Sequence, residues 1–208
     1  MRGLMIYQIL EGQIAAVIGA GDVGGRRISQ LKKAGAQVRV VDPNVDVLPE
    51  ADELITQNYQ IAHLEGVGIV FAATDNTVVN HQIATDARSL GLPVNVADDP
   101  DYCDFFMPAI LKRGQLTLAI STGGSCPGFA SLAKRHLDRQ WGTEWELALE
   151  IVASARHWAR ERQLPWTKLL NDELLTACAN NDKTAVESHL ANVLGATASL
   201  EAIGIHWS

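Results

Sequence analysis

Gly19-Ala20-Gly21-Asp22-Val23-Gly24 constrains this chain more than any other stretch. The pattern G-x-G-x-x-G is weak alone, and its setting is what gives it force. It follows Ile14-Ala15-Ala16-Val17-Ile18, an apolar run of strand length. It opens a stretch from Asp22 to Ala34 in which Val23, Ile28 and Leu31 fall on one helical side. A strand that turns over glycines directly into a helix is the first unit of a dinucleotide-binding α/β fold. Gly19 permits the tight turn, Gly21 lets backbone approach a pyrophosphate, and Gly24 lets helix and strand pack closely. The pyrophosphate then rests on free helix N–H groups. Gln37-Val38-Arg39-Val40-Val41 reads as a second strand, and Asp42 closes it 18 residues after Gly24. A carboxylate there accepts hydrogen bonds from both ribose hydroxyls and repels a 2′-phosphate, so NAD is the expected cofactor rather than NADP. Asp22 puts an acid close to the pyrophosphate, and its side chain is expected to turn away.

The rest of the first hundred residues keeps the same rhythm. Val67 to Ala73 lacks polar alternation, as a parallel strand covered on both faces does. Asn76 to Leu90 reads as a helix ended by Gly91 and Pro93, and Pro93-Val94-Asn95-Val96 as another strand. The fold class is therefore α/β, a Rossmann-type parallel sheet with helices on both sides. The character changes near residue 100. Strand-like runs at Phe105 to Lys112 and Leu116 to Ser121 are joined by Arg113-Gly114-Gln115. Helical stretches are then expected at 127–140, 143–163, 166–179 and 182–194. The expected domains are 1–112, NAD-binding; 113–141, a small central strand-plus-helix segment; and 142–208, helical.

Composition narrows the function. The 208 residues are 47% hydrophobic and 20% charged, which suits a chain that builds a core. No apolar run approaches the roughly 18 residues of a membrane-spanning helix. The opening Met1-Arg2-Gly3-Leu4-Met5-Ile6-Tyr7 has a slight look of a signal peptide, but Glu11 interrupts it, and the expected compartment is the cytoplasm. Cys103, Cys126 and Cys178 form neither a zinc pattern nor a disulfide framework. His63, His81, His136, His157, His189 and His206 show no metal-ligand spacing, so no fixed metal site is expected; His81 and His136 read as helix-surface residues. A net charge of −7 argues against nucleic acid as a partner. Within it, residues 112–139 carry Lys112, Arg113, Lys134, Arg135 and Arg139 against the single acid Asp138. On charge alone this is a solvated face; an anionic small-molecule substrate is its functional alternative. The five tryptophans, Trp141, Trp145, Trp158, Trp166 and Trp207, all lie in the helical part and read as core or dimer contacts.

Further chemistry-bearing residues follow the strands. Thr74, at the tip after the third strand, can hydrogen-bond a ribose or the nicotinamide amide, while Asp75 reads mainly as a helix cap. Asp98 closes the Asn95-Val96-Ala97-Asp98 strand end, where ligands of such sheets bind. A carboxylate in a partly apolar crevice can serve as a general base. Asp99, Asp101 and Asp104 around Pro100 read as turn chemistry, and Cys103, with no histidine near in sequence, as structural. Ser121-Thr122-Gly123-Gly124-Ser125-Cys126-Pro127 joins a strand to a helix, and its glycines free backbone N–H groups to hold a carboxylate. Arg135 and Arg139 lie on the helix that follows.

Four segments together are similar to the precorrin-2 dehydrogenase family, the dehydrogenase–chelatase portion of siroheme synthase. They are Val17 to Arg27, Phe71 to Asn80, Val94 to Pro100 continuing through Cys103-Asp104-Phe105 to Ile110, and Leu118 to Gly124 with Pro127. Their order and spacing match over about residues 5–140, whereas 141–208 match only in being helical. The chain departs from the usual pattern at Ala20, Ala97 and Asn76, which stand where glycine, valine and aspartate are common. The resemblance implies oxidation of precorrin-2 by NAD⁺ to sirohydrochlorin, and in some members insertion of Fe²⁺ to give siroheme. It places the catalytic acid/base on Asp98 and a tetrapyrrole contact on Thr122, beside Ser121, Gly123, Gly124 and Arg135. Cofactor contacts fall on Asp22, Val23, Asp42, Pro43 and Asn44, with Gly19, Gly21, Gly24 and Thr74. It also implies a homodimer built by the central segment. A polycarboxylate tetrapyrrole gives the basic zone a purpose. Two other functions fit parts of the sequence: a non-catalytic NAD-sensing domain, and an NAD dehydrogenase for a different anionic substrate.

Overall fold

The apolar runs of the first hundred residues become a parallel sheet whose two faces are separately packed. A computed structural model describes residues 3–207, so Met1, Arg2 and Ser208 lie outside the described residues. The chain divides into two units, one ending at Met107 and the other beginning at Pro108.

In the first unit the strands are β1 (Ile14–Ile18), β2 (Gln37–Val41), β3 (Glu53–Ile55), β4 (Val67–Ala72) and β5 (Val94–Val96), in the order β3-β2-β1-β4-β5 and all parallel. Side chains alternate across a strand, so successive residues of β1 serve different layers. Ala15 and Val17 join Ile28 and Leu31 of α1 (Asp22–Lys33) under one face. Ala16 and Ile18 join Ile83, Ala84 and Ala87 of α2 (Thr77–Ser89) under the other. This is the α/β architecture expected from the pattern.

β3 was not anticipated, because three half-buried or exposed residues at a sheet edge show no period. It pairs Glu53 with Arg39, whose Nε reaches Glu53 Oε2 at 2.6 Å. The helix cap also differs from expectation by one position. Asn76, not Asp75, caps α2: its Oδ1 accepts from the amides of Val78 (3.0 Å) and Val79 (3.2 Å).

The run 105–108 does not extend the hairpin strand. Phe105 instead packs edge-on against Phe71, with ring centroids 5.5 Å apart, and its carbonyl accepts from Asn95 Nδ2 at 2.9 Å. These contacts hold it in the first unit. In the second unit β6 (Ala109–Arg113) and β7 (Leu116–Ile120) form an antiparallel hairpin over Gly114 and Gln115, with Gly114 at φ +54°.

The helices α3 (Pro127–Gln140), α4 (Glu144–Arg160), α5 (Asp172–Ala179) and α6 (Lys183–Leu194) follow. The stretch expected as one helix over 166–179 is two elements. After Pro165, residues Trp166–Leu169 form a 3-10 turn, and Asn171 starts α5 afresh by accepting from the Leu174 amide at 3.1 Å. Ile151, Ala155, Leu169, Val186, Leu190 and Leu200 make the core of this unit, with Trp158, Trp166 and Trp207 partly buried against it. Trp141 and Trp145 stack on one another, with centroids 4.2 Å apart.

Arg113 leaves the basic zone that the sequence suggested. Its guanidinium donates to the carbonyls of Trp141, Gly142 and Asp138 and to Asp138 Oδ1, and it ties the hairpin to the end of α3.

Replacing Asn76 by alanine removes the α2 cap, and the expected cost is about 0.5–2 kcal/mol of stability. Urea denaturation of the two proteins checks this; equal midpoints would contradict the role assigned to the cap.

Candidate functional site

The residues singled out in the first half of the sequence meet along one edge of the sheet, where β2, β1, β4 and β5 end. Gly19 leaves β1 at φ +97°, and its amide donates to the Val41 carbonyl at 2.9 Å. A Cβ on Gly19 would collide with the Ala73 carbonyl, and one on Gly24 with the Gly19 carbonyl. Gly21 faces open space and precedes α1 with no side chain capping the helix amides. The three glycines thus do different work: two permit close packing and one leaves backbone accessible to an anion. Asp22 is exposed in the first turn of α1, and Val23 is half-buried beside it.

Asp42, half-buried at the end of β2, is tied to the glycine loop. Its Oδ2 accepts from the Ala20 amide and its Oδ1 from the Asn44 amide, each at 2.8 Å. Each carboxylate oxygen keeps a further lone pair, which is what two ribose hydroxyls require. Pro43 and Asn44 are exposed immediately beyond it.

Thr74 lies two residues past β4, but its hydroxyl is engaged. It donates to Asn80 Oδ1 at 2.7 Å, while Asn80 Nδ2 donates back to the Thr74 carbonyl at 3.0 Å. Asn80, 5% exposed, is a site residue that the sequence reading missed. Its signal was present: a polar side chain one turn before Ile83 and Ala84 on the buried side of α2.

Asp98 lies just past β5, after Ala97 has continued the ladder by donating to the Ala72 carbonyl at 2.8 Å. It is exposed and takes a left-handed backbone, φ +58°. Three strand spacings separate the ends of β2 and β5, about 14 Å. Asp42 and Asp98 therefore stand toward opposite ends of the row, with the glycine loop and Thr74 between them.

The loop after Asp98 is more than a polar turn. Asp104 Oδ2 accepts from the Val94 amide at 3.1 Å, and Asp104 Oδ1 accepts from Arg88 Nε at 3.0 Å. The Cys103 thiol accepts from the Val96 amide (3.2 Å) and faces the Val96 and Asp99 carbonyls (3.2 and 3.3 Å). Burial pushes this thiol above its ordinary range, in keeping with a structural cysteine. Asp101 is exposed. His81, expected as a surface residue, is partly buried and bonds Asp99 through Nε2 at 2.6 Å. His136 is exposed and faces Gln140.

In the second unit, Ser121 Oγ accepts from the Gly123 amide at 3.1 Å and Thr122 Oγ1 from the Cys126 amide at 3.0 Å. Gly123 (φ +61°) and Gly124 (φ +85°) require the left-handed region. The two hydroxyls shape the loop and retain their own protons for donation. Pro127 opens α3, on which Arg135 and Arg139 are exposed.

Among the described residues no group of three or more His, Cys, Asp or Glu side chains is placed to hold a metal ion, and no helix is long and apolar enough to cross a membrane.

Residues 6–109 match the family described as "Putative NAD(P)-binding". A siroheme synthase of Pseudomonas aeruginosa is 31% identical over 218 aligned residues, which cover 97% of this chain and 47% of that protein. A siroheme synthase of Pseudomonas putida is 38% identical over 165 residues, 76% of this chain and 35% of that protein. The chain thus spans less than half the length of these curated relatives. The solved structure of "SirC, precorrin-2 dehydrogenase" superposes with a TM-score of 0.72 at 20% identity, covering 92% of this chain and 98% of that one, which is a likeness of fold.

Two predictions follow from the geometry. Asp42→Ala, which also unties the glycine loop, is expected to weaken NAD⁺ binding by about 1–3 kcal/mol in titration calorimetry. An unchanged affinity would show that the ribose lies elsewhere. Under native alkylation the exposed Cys126 is expected to react first, ahead of Cys103 and of Cys178, whose thiol burial pushes up to about 11. Peptide mass spectrometry over a time course reads the order, and Cys103 reacting first would contradict its structural role.

Proposed function

This chain belongs to the family described as "Putative NAD(P)-binding", and we propose that it is a precorrin-2 dehydrogenase, oxidising precorrin-2 to sirohydrochlorin with NAD⁺. The observation that carries the reading is the row of strand ends itself. It sets a glycine loop able to take a pyrophosphate, a carboxylate suited to a ribose and a second carboxylate, Asp98, along one sheet edge. The residues present fit the dinucleotide. The backbone at Gly21 is open, no side chain caps α1, and Asp42 has lone pairs to spare.

When bound, NAD⁺ supplies the hydride acceptor. Asp42 holds the adenosine ribose and disfavours a 2′-phosphate, with Pro43 and Asn44 beside it. The first-turn amides of α1 at Asp22 and Val23 hold the pyrophosphate. Thr74, fixed by Asn80, offers its backbone rather than a free hydroxyl. Loss of a hydride from precorrin-2 must be matched by loss of a proton, and Asp98 is the group proposed to take it. Thr122, with Ser121, Gly123, Gly124 and Arg135, is proposed to bind carboxylates of the tetrapyrrole. Lys112, Lys134 and Arg139 add positive charge to the same unit.

Insertion of Fe²⁺ into sirohydrochlorin is proposed as a second activity. The metal is then a substrate that displaces two pyrrole N–H protons, which Asp98 accepts one at a time and passes to the solvent it faces. The proposed division has residues 1–112 binding NAD, 113–141 forming a homodimer and contacting substrate, and 142–208 forming a helical domain. The proposed compartment is the cytoplasm.

Anaerobic incubation of the purified protein with precorrin-2 and NAD⁺, followed by Fe²⁺, tests the proposal. NAD⁺-dependent appearance of the sirohydrochlorin spectrum is expected, with a metal-dependent change faster than the enzyme-free control if the second activity is present. Bound NAD⁺ without turnover would favour an NAD-sensing domain, or a different anionic substrate. Asp98→Asn is expected to lower turnover by at least about 100-fold while NAD⁺ affinity holds. Full activity in that variant would remove Asp98 as the base.

A further inference from the structure

We propose that His81 is a positioning residue that acts through Asp99 to hold the turn presenting Asp98. The inference rests on Asp98 being the proton acceptor. Asp98 is a side-chain-bearing residue in the left-handed region, φ +58°. Such a backbone persists where its surroundings over-determine it.

The loop's outer connections are made by Cys103, bonded to β5, and by Asp104, bonded to the Val94 amide and Arg88. Neither side chain reaches the residue next to Asp98 except through the Asp99 carbonyl that the Cys103 thiol faces. Asp99 makes that connection with its own side chain. It precedes the 3-10 turn Pro100–Tyr102, where an aspartate ordinarily caps, yet its carboxylate makes no capping bond. The carboxylate turns instead to α2, where His81 Nε2 donates to Oδ2 at 2.6 Å. The imidazole also stacks on the Tyr102 ring, with centroids 3.7 Å apart and planes 5° from parallel. One histidine thus grips both ends of the short turn after Asp98. Its own backbone lies on a helix anchored by Ile83, Ala84 and Ala87, each 0% exposed. Side chains of 34% and 27% exposure place the pair at the rim of the fold rather than in its core, so its bond is better suited to fixing a loop than to carrying global stability.

His81→Ala, His81→Gln, Asp99→Ala and the His81→Ala/Asp99→Ala double variant test this in the full chain. Three measurements are made on each: kcat and KM for precorrin-2 and NAD⁺, the melting temperature, and the Cα and Cβ chemical shifts of Asp98. The shifts report its backbone whether or not the protein turns over. His81→Ala is expected to lower kcat by about 10–100-fold, with KM for NAD⁺ changed by less than about twofold, and to move the Asp98 shifts away from left-handed values. His81→Gln, which restores an N–H donor, is expected to recover both. The double variant is expected to lose no more than the worse single variant, as for two residues acting as one unit. Wild-type kcat in His81→Ala overturns the proposal, as does a fall in kcat with the Asp98 shifts unmoved, or additive losses in the double variant. If His81→Ala does not fold, Asp99→Ala carries the same comparison. If the wild-type protein leaves precorrin-2 unchanged, it is the dehydrogenase reading that fails, and the Asp98 shifts alone then decide whether His81 holds the turn.

Discussion

The packing of Gly24 directly on the Gly19 carbonyl is the contact on which the arrangement depends. A single added carbon at either glycine would collide with backbone, at Gly19 with the Ala73 carbonyl. Because neither has one, α1 starts immediately beyond β1 and its unbonded amides face the crevice at the strand ends. The Asp42 carboxylate then closes on the Ala20 amide at 2.8 Å, joining the end of β2 to the same loop. The row of strand ends from Asp42 to Asp98 follows from that packing and from the parallel order of the sheet.

The chemistry proposed for this chain is concentrated where the sheet stops being regular. β5 is only three residues long, and Asp98 leaves it in a conformation that side-chain-bearing residues seldom adopt. The loop beyond it is bonded by sulfur, carboxylate and imidazole to elements that the core already fixes. An exposed carboxylate on a loop so held can be oriented without being buried.

Much of the first unit was legible in the sequence because its strands are continuous apolar runs and its helices are bounded by glycine, proline and asparagine. The glycine loop, Asp42 and Asp98 could be placed because their positions follow from strand ends. Residues whose role depends on a distant partner could not be placed. Asn80 looks like an ordinary helical asparagine until the fold brings Thr74 to it, and His81 looks like a surface residue until the loop after β5 returns to α2. Arg113 counted toward the basic zone until the end of α3 folded back to supply carbonyls to its guanidinium. β3 was too short to show a period, and the break at Leu170-Asn171 rests on one asparagine side chain.

A structure of the chain with NAD⁺ bound is the most direct test of the central claim, that the row of strand ends is the dinucleotide site and aims its reactive end at Asp98. The account predicts the adenosine ribose on the Asp42 carboxylate, the pyrophosphate against the amides beyond Gly21, and the nicotinamide ring toward the β5 end of the row. A dinucleotide bound away from the glycine loop, or lying with its nicotinamide at Asp42, would contradict it.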